Sequence, residues 1–179
     1  MNVKIISLFI IGFSIYTISC SRSSQKPNSV SVSENVIERW YRVNDTIVYA
    51  QIDLSNNDSL LLQKKYAVNS NDSSFVFGDR KIYLFSDASK LAKFSNAEQY
   101  FDNHLPSINI DIEITLWISA IIDKNGKPEH VGIVREPSYY SYILPTIDVV
   151  KKMPNWSPAH IGDEKVASLV MFPVHHKVK

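Results

Sequence analysis

Cysteine is the scarcest residue type in this 179-residue chain: there is one, Cys20. No intrachain disulfide can form. Glycine is also scarce, with five in all, and no glycine-rich phosphate loop is present. An excess of charge of either sign is also missing. The net charge is +1, so no basic footprint points to nucleic acid. No internal repeat at a solenoid period occurs. The five histidines, His104, His130, His160, His175 and His176, show no metal-ligand spacing with Cys20 or with one another on a helix. His175 and His176 are adjacent, so on a strand they face opposite sides. No serine sits in a nucleophile-elbow pattern. The expectation is a protein without catalytic residues, metal or cofactor.

The position of Cys20 is informative. The chain opens "MNVKIISLFIIGFSIYTISC": a positive Lys4, an apolar run from Ile5 to Ile15, then Thr17-Ile18-Ser19 before the cysteine. That is the layout of a secretory signal. A small residue directly before the only cysteine resembles the bacterial lipoprotein box, whose cysteine becomes the acylated mature N-terminus. The competing reading is an uncleaved membrane helix, although Val3 to Ser19 is short against the roughly 20 residues that span a bilayer. Residues 1–19 are thus expected as a signal peptide, with Cys20 as the lipidation site. "SRSSQKPNSVSVSEN" follows, Ser- and Asn-rich and nearly without apolar residues. Residues 20–34 therefore read as a flexible tether.

Residues 35–86 show period-two alternation broken by turn residues, Asn44-Asp45 and Asn56-Asn57-Asp58. "SFVFGDRKIYLF" places two short strands around Gly78-Asp79. The expectation is a short antiparallel β-meander of four or five strands, with no residue spacing that speaks of chemistry. Trp40, Tyr41, Tyr49 and Tyr66 fit core or cross-strand pairs better than a ligand face.

Residues 87–179 change character. "DASKLAKFSNAEQYFDNHL" predicts a helix through Leu91, Phe94, Ala97 and Phe101, with Asp87 as N-cap. Ile112, Ile114, Leu116, Ile118, Ala120 and Ile122 then alternate on one strand face. Asn125-Gly126 follows, the strongest short hairpin signal. Val131 and Ile133 continue the return strand. Asp123 and Asn125 lack the further ligands of a calcium loop, so the turn reading holds. A helix with Ile143, Ile147, Val150 and Met153 on one face has Pro145 in its first turn. It stops at "MPNWSPA", where Pro154 and Pro158 fence Trp156 in a segment that must run extended or turned. A strand from about Val166 to Val174 closes the chain. The fold class expected is α+β: a small antiparallel sheet with packed helices, preceded by the meander, with residues 95–179 folding alone.

At this point the residues resemble a family. The "DKNGK" turn at Asp123–Lys127, the helix running into Met153-Pro154-Asn155-Trp156-Ser157-Pro158, then Gly162, Val166 and Phe172-Pro173-Val174 look like the TonB carboxy-terminal domain, from about residue 95 to 176. The resemblance implies helices packed on an antiparallel sheet. It also implies a structural role for Asp123, Asn125, Gly126, Pro154, Trp156 and Pro158, with Trp156 as a core plug. The full energy transducers of that family carry a histidine-bearing inner-membrane helix and a long proline-rich arm. Here no histidine precedes His104, and Pro27 is the lone proline between Cys20 and the first strands.

The function expected is a lipoprotein facing the periplasm of a Gram-negative-type envelope, binding envelope proteins, a class that includes outer-membrane receptor peptides. The contact would be strand addition along an edge strand bearing Val166, Ser168, Leu169, Val170 and Phe172, a segment without charge to blunt it. The competing cover for that strand is its own chain or a second copy in a homodimer. The alternatives are a TonB-type energy transducer for outer-membrane transport and a structural envelope lipoprotein.

Overall fold

The computed structural model describes residues 35–56, 58–84, 88, 90–107, 113–135 and 140–177. They belong to one compact unit, Val32–Lys179. The expected signal peptide, Cys20, the tether, Asp87 and Ile112 lie outside the described residues.

Five strands come first: β1 (Val36–Val43), β2 (Thr46–Asp53), β3 (Ser59–Ala67), β4 (Ser74–Phe77) and β5 (Arg80–Leu84). Asn44, Asp58 and Gly78 turn the chain between them with positive φ, the conformation that Asn, Asp and Gly tolerate best. Helix α1 (Ala97–His104) precedes the long hairpin of β6 (Ile114–Ile122) and β7 (Pro128–Ile133). A single 3-10 turn at Tyr140–Tyr142 leads into α2 (Ile143–Lys151). The small ladder β8 (Ala159–Ile161) with β9 (Glu164–Val166) and the long strand β10 (Ser168–His176) complete the chain.

Eight strands form one sheet in the order β3-β2-β1-β7-β6-β10-β5-β4. The pairs β1/β7 and β10/β5 are parallel and the others antiparallel. The two ends of that order, β3 and β4, are neighbours in sequence. Flat, eight strands would span about 34 Å at ~4.8 Å per step. The seven Cα steps from Ala67 to Ser74 reach at most about 25 Å. The sheet therefore has to curl, and its ends meet at an Asn69–Ser74 bridge.

Curling gives the sheet two cores. Alternate residues of β6 divide between them: Leu116, Ile118, Ala120 and Ile122 face the outer core, under Ile143, Ile147 and Val150 of α2. Ile121 faces the inner one, with Trp40, Tyr49, Phe75, Ile82 and Leu169. Trp40 and Tyr49 are direct cross-strand partners with ring centroids 4.6 Å apart. Burial, and next the Glu38 carboxylate, push the Tyr49 phenol up to about 12.

Three expectations are corrected. The fold is β-dominated, built on one large mixed sheet; it is not α+β with a small antiparallel sheet and packed helices. What reads as a separate meander supplies β1 to β5 of that sheet, because β1 pairs with β7 and β5 with β10. For the same reason residues 95–179 are not a complete core: Ile37 and Ile52 sit in the outer cluster, and most of the inner cluster precedes residue 86. The helix expected from Asp87 begins only at Ala97. Lys90 and Lys93 instead form antiparallel bridges with His160 and Ser157, and Asn96 turns the chain at φ 65.

Candidate functional site

The "DKNGK" turn and the proline-fenced tryptophan, far apart in sequence, meet in space. Asp123 organises the turn: its Oδ1 accepts from the backbone N–H of Asn125 and of Lys127, both at 2.8 Å. Gly126 follows at φ +86. Its carbonyl accepts the Trp156 N–H at 2.7 Å. On the other side Ser157 and Lys93 exchange both backbone bonds at 2.9 Å. The segment between Pro154 and Pro158 is thus a stiff crossbar between the β6–β7 turn and the strand-like stretch before α1.

That crossbar aims the Trp156 ring. The ring is 8% exposed and packs at 5.7 Å from Phe94 and 5.3 Å from Phe172. Its indole N–H is buried without a partner among the described residues, which costs stability at this spot. The ring and Met153 floor a groove of ≈490 Å³. Phe94, Ala97 and Phe101 form one wall, and Phe172, Pro173 and His175 of β10 the other. Size and apolar lining are those of a ligand or side-chain pocket.

The groove's relation to β10 follows from strand geometry. Successive side chains of a strand point to opposite faces. A groove touched by Phe172 as well as Pro173 and His175 therefore lies along an edge of the strand. One edge is occupied: β6 pairs with β10 from Ser168 to His176 without a break. On the other edge β5 pairs only at Ser168 and Leu169. The Ala167 carbonyl accepts from Tyr83 on that side, at 3.0 Å. Backbone direction alternates with period two, so Leu169, Met171, Pro173 and His175 present their backbone groups there as well. Beyond Leu169 no described strand covers them. Pro173 has no N–H to offer, in keeping with the placement of proline on uncovered edges.

Ion pairs frame the open end. Glu98 and Asp102, one helical turn apart on α1, hold Lys177 at 3.0 and 3.1 Å. Both contacts hold the lysine above its usual range. His175 shares a 2.9 Å hydrogen bond with Thr115. His176, on the opposite face, is buried beside Thr146 at 2.8 Å, and burial lowers its pKa.

The proposed partner-binding set is only partly brought together. Val166 ends β9 and pairs with Ala159. Ser168 and Leu169 are covered by β5. Val170 is buried in the outer core. Of the five, Phe172 alone lines the groove. The uncovered stretch lies further along, because β5 is too short to follow β10 to its end. Sequence reading missed Phe94, Phe101, His175 and Lys177 as members of one site. Phe94, directly before Ser95-Asn96, carried the available signal: an aromatic residue beside turn chemistry.

A second cluster sits on the inner face. His130, with φ 47, occupies a break in the β6–β7 ladder. Its ring approaches the Glu38 carboxylate at 3.2 Å and meets Phe77 edge-on at 4.8 Å. No group of three or more metal-ligating side chains occurs among the described residues, nor does a helix long and apolar enough to cross a membrane. Compared with family models, with curated proteins and with solved structures, the chain has no match.

Proposed function

We propose that this is a non-enzymatic binding protein of a Gram-negative-type envelope, tethered by a lipid on Cys20, that takes an extended segment of another envelope protein beside β10. The segment would add to the uncovered edge from Met171 to His175 and place one apolar side chain in the groove. The observation that carries this reading is the coincidence of the two features: the groove runs along the one stretch of β10 that no described strand covers. Backbone hydrogen bonds supply affinity in such a mode, and the pocket supplies selectivity. The tether reading rests on the sequence around Cys20, which also favours a protein floating near a membrane over a mechanical link across the periplasm.

Photo-crosslinkers placed at Phe172 and His175, with exposed Val43 at the end of β1 as control, test the binding claim in cells. Capture at the first two positions and not at the control is expected. Equal labelling at all three, or none, overturns it. Cys20→Ala tests the anchor: release from membranes or an uncleaved precursor is expected, and unchanged mass with unchanged membrane retention refutes it. Loss of an active outer-membrane uptake on gene deletion, restored by this chain alone, would establish the energy-transducer alternative instead.

A further inference from the structure

One end strand of the sheet is β3. It pairs with β2 on one side and stands first in the strand order. The Asn69 N–H bonds the carbonyl of Ser74 on β4, at 2.7 Å, while the Val68 N–H bonds the carbonyl of Asp45, in the turn just before β2, at 2.8 Å. Counting back by twos, Gln63, Lys65 and Ala67 direct their backbone N–H and C=O away from β2. No described strand receives them.

Two features keep this edge from pairing with its own kind. Leu61 is an extra residue in the ladder, since Gln51 pairs with Leu62 and Ile52 with Leu60. Such bulges and edge lysines are the usual guards against indiscriminate strand addition. Lys64 and Lys65 sit mid-strand, both exposed, and neither forms an ion pair among the described residues. The strand "SLLLQKKYA" contains no acidic residue. A second copy adding antiparallel around this centre would set lysine against lysine, which is destabilising. An acidic strand in the same place would gain from both lysines, one on each face. Leu60 and Leu61, 56% and 54% exposed, offer apolar contact at the strand's start.

We infer that β3 is a second docking edge, selective for an extended segment bearing acidic side chains and closed to a second copy of this chain. It is separate from the β10 groove, and its occupant is chosen by charge where the groove chooses by apolar fit.

The probes are two eight-residue peptides, one alternating a pair of valines with a pair of glutamates so that both faces carry acid, the other the same with lysine, titrated against the full chain. The glutamate peptide should bind about tenfold more tightly, an advantage that shrinks with salt. A photo-crosslinker at Gln63 should capture it, and one at His175 should not. Lys64→Glu with Lys65→Glu, at exposed positions that leave the fold intact, should reverse the preference. Gln63→Pro removes an outward N–H without touching the β2 ladder and should weaken binding while the melting temperature changes little. Equal affinity for the two peptides, an unchanged preference in the double variant, or capture at His175 in place of Gln63 overturns the inference. So does a dimer in light scattering that Gln63→Pro dissolves, which would make a second copy the occupant. Failure at Gln63 leaves capture at Phe172 untouched, so the two sites stand or fall apart.

Discussion

The Gly126 carbonyl accepts the Trp156 N–H at 2.7 Å, and a Cβ on Gly126 would lie 1.9 Å from the Trp156 carbonyl oxygen. The turn and the crossbar are in backbone contact, and only a residue without a side chain permits it. Gly126→Ala should therefore cost about 2–4 kcal/mol, from left-handed strain together with a clash against main chain. Gly78 is the control. It has φ +65, but a methyl group there would meet nothing within 4 Å, so Gly78→Ala should cost only about 1–2 kcal/mol. Chemical denaturation of both variants checks this. Equal losses would mean that the contact with Trp156 carries no weight.

Trp156 itself should separate bulk from polarity. Trp156→Ala empties the floor of the groove and should cost ~3–5 kcal/mol. Trp156→Phe keeps most of the ring packing against Phe94 and Phe172 and removes the buried indole N–H that has no partner among the described residues. Its cost should be less than half that of the alanine variant. A phenylalanine variant as unstable as alanine would show that the indole N–H is satisfied in solution.

His176 gives the protein a pH dependence of definite sign. Thr146 Oγ1 lies 2.6 Å from the Tyr142 carbonyl, which can only accept, and 2.8 Å from His176 Nε2. Both contacts are satisfied when the hydroxyl donates to the carbonyl and Nε2–H donates to the hydroxyl. Burial lowers the folded-state pKa of this ring below its usual 6.5. The unfolded chain thus takes up the proton first on acidification, and stability rises with pH in that window. The contribution is complete above about pH 6.5 and is lost as pH falls through the folded pKa. Urea midpoints should fall between pH 7.5 and 5, and His176→Gln, whose amide can still donate to Thr146, should flatten that slope. An unchanged slope would place the effect elsewhere.

The hairpin around Asn125-Gly126, the α2 face and the extended run between Pro154 and Pro158 are legible in the sequence, because each depends on local chemistry: turn residues, 3.6-residue periodicity and proline. The sheet order is not. Nothing local to "VIERWYRV" says that β1 will lie parallel to β7, or that β5 will reach Leu169 and stop. The period Leu91-Phe94-Ala97-Phe101 mimics a helix, yet Leu91 is 41% exposed and Lys93 is tied to Ser157. The candidate site depends on those long-range pairings, so the sequence shows a strand near Val166 to Val174 but not where its edge is left open. A fragment of residues 87–179 measures the consequence. Freed of β1 and β5, it leaves Ile121 and Leu169 without the inner core and two bare edges on β7 and β10. It should show no cooperative melt and should aggregate, where the chain from residue 32 melts in one step.

Pro173 sets how readily β10 accepts a strand. Met171, Pro173 and His175 face the uncovered edge, and the middle one offers a carbonyl but no N–H. A partner strand therefore loses one hydrogen bond of the ladder, worth about 0.5–1.5 kcal/mol. Pro173→Val restores the donor on the open side and leaves the β6 pairing of neighbouring residues intact. Melting should change little. Binding of an extended partner at the groove should tighten by up to about tenfold, and the free protein should associate with itself more readily, because the proline also blunts the edge. Peptide titration and light scattering on the same preparation read both effects. If neither moves, the Pro173 nitrogen points into the β6 ladder, and the odd-numbered residues of β10 are not the ones that a partner meets.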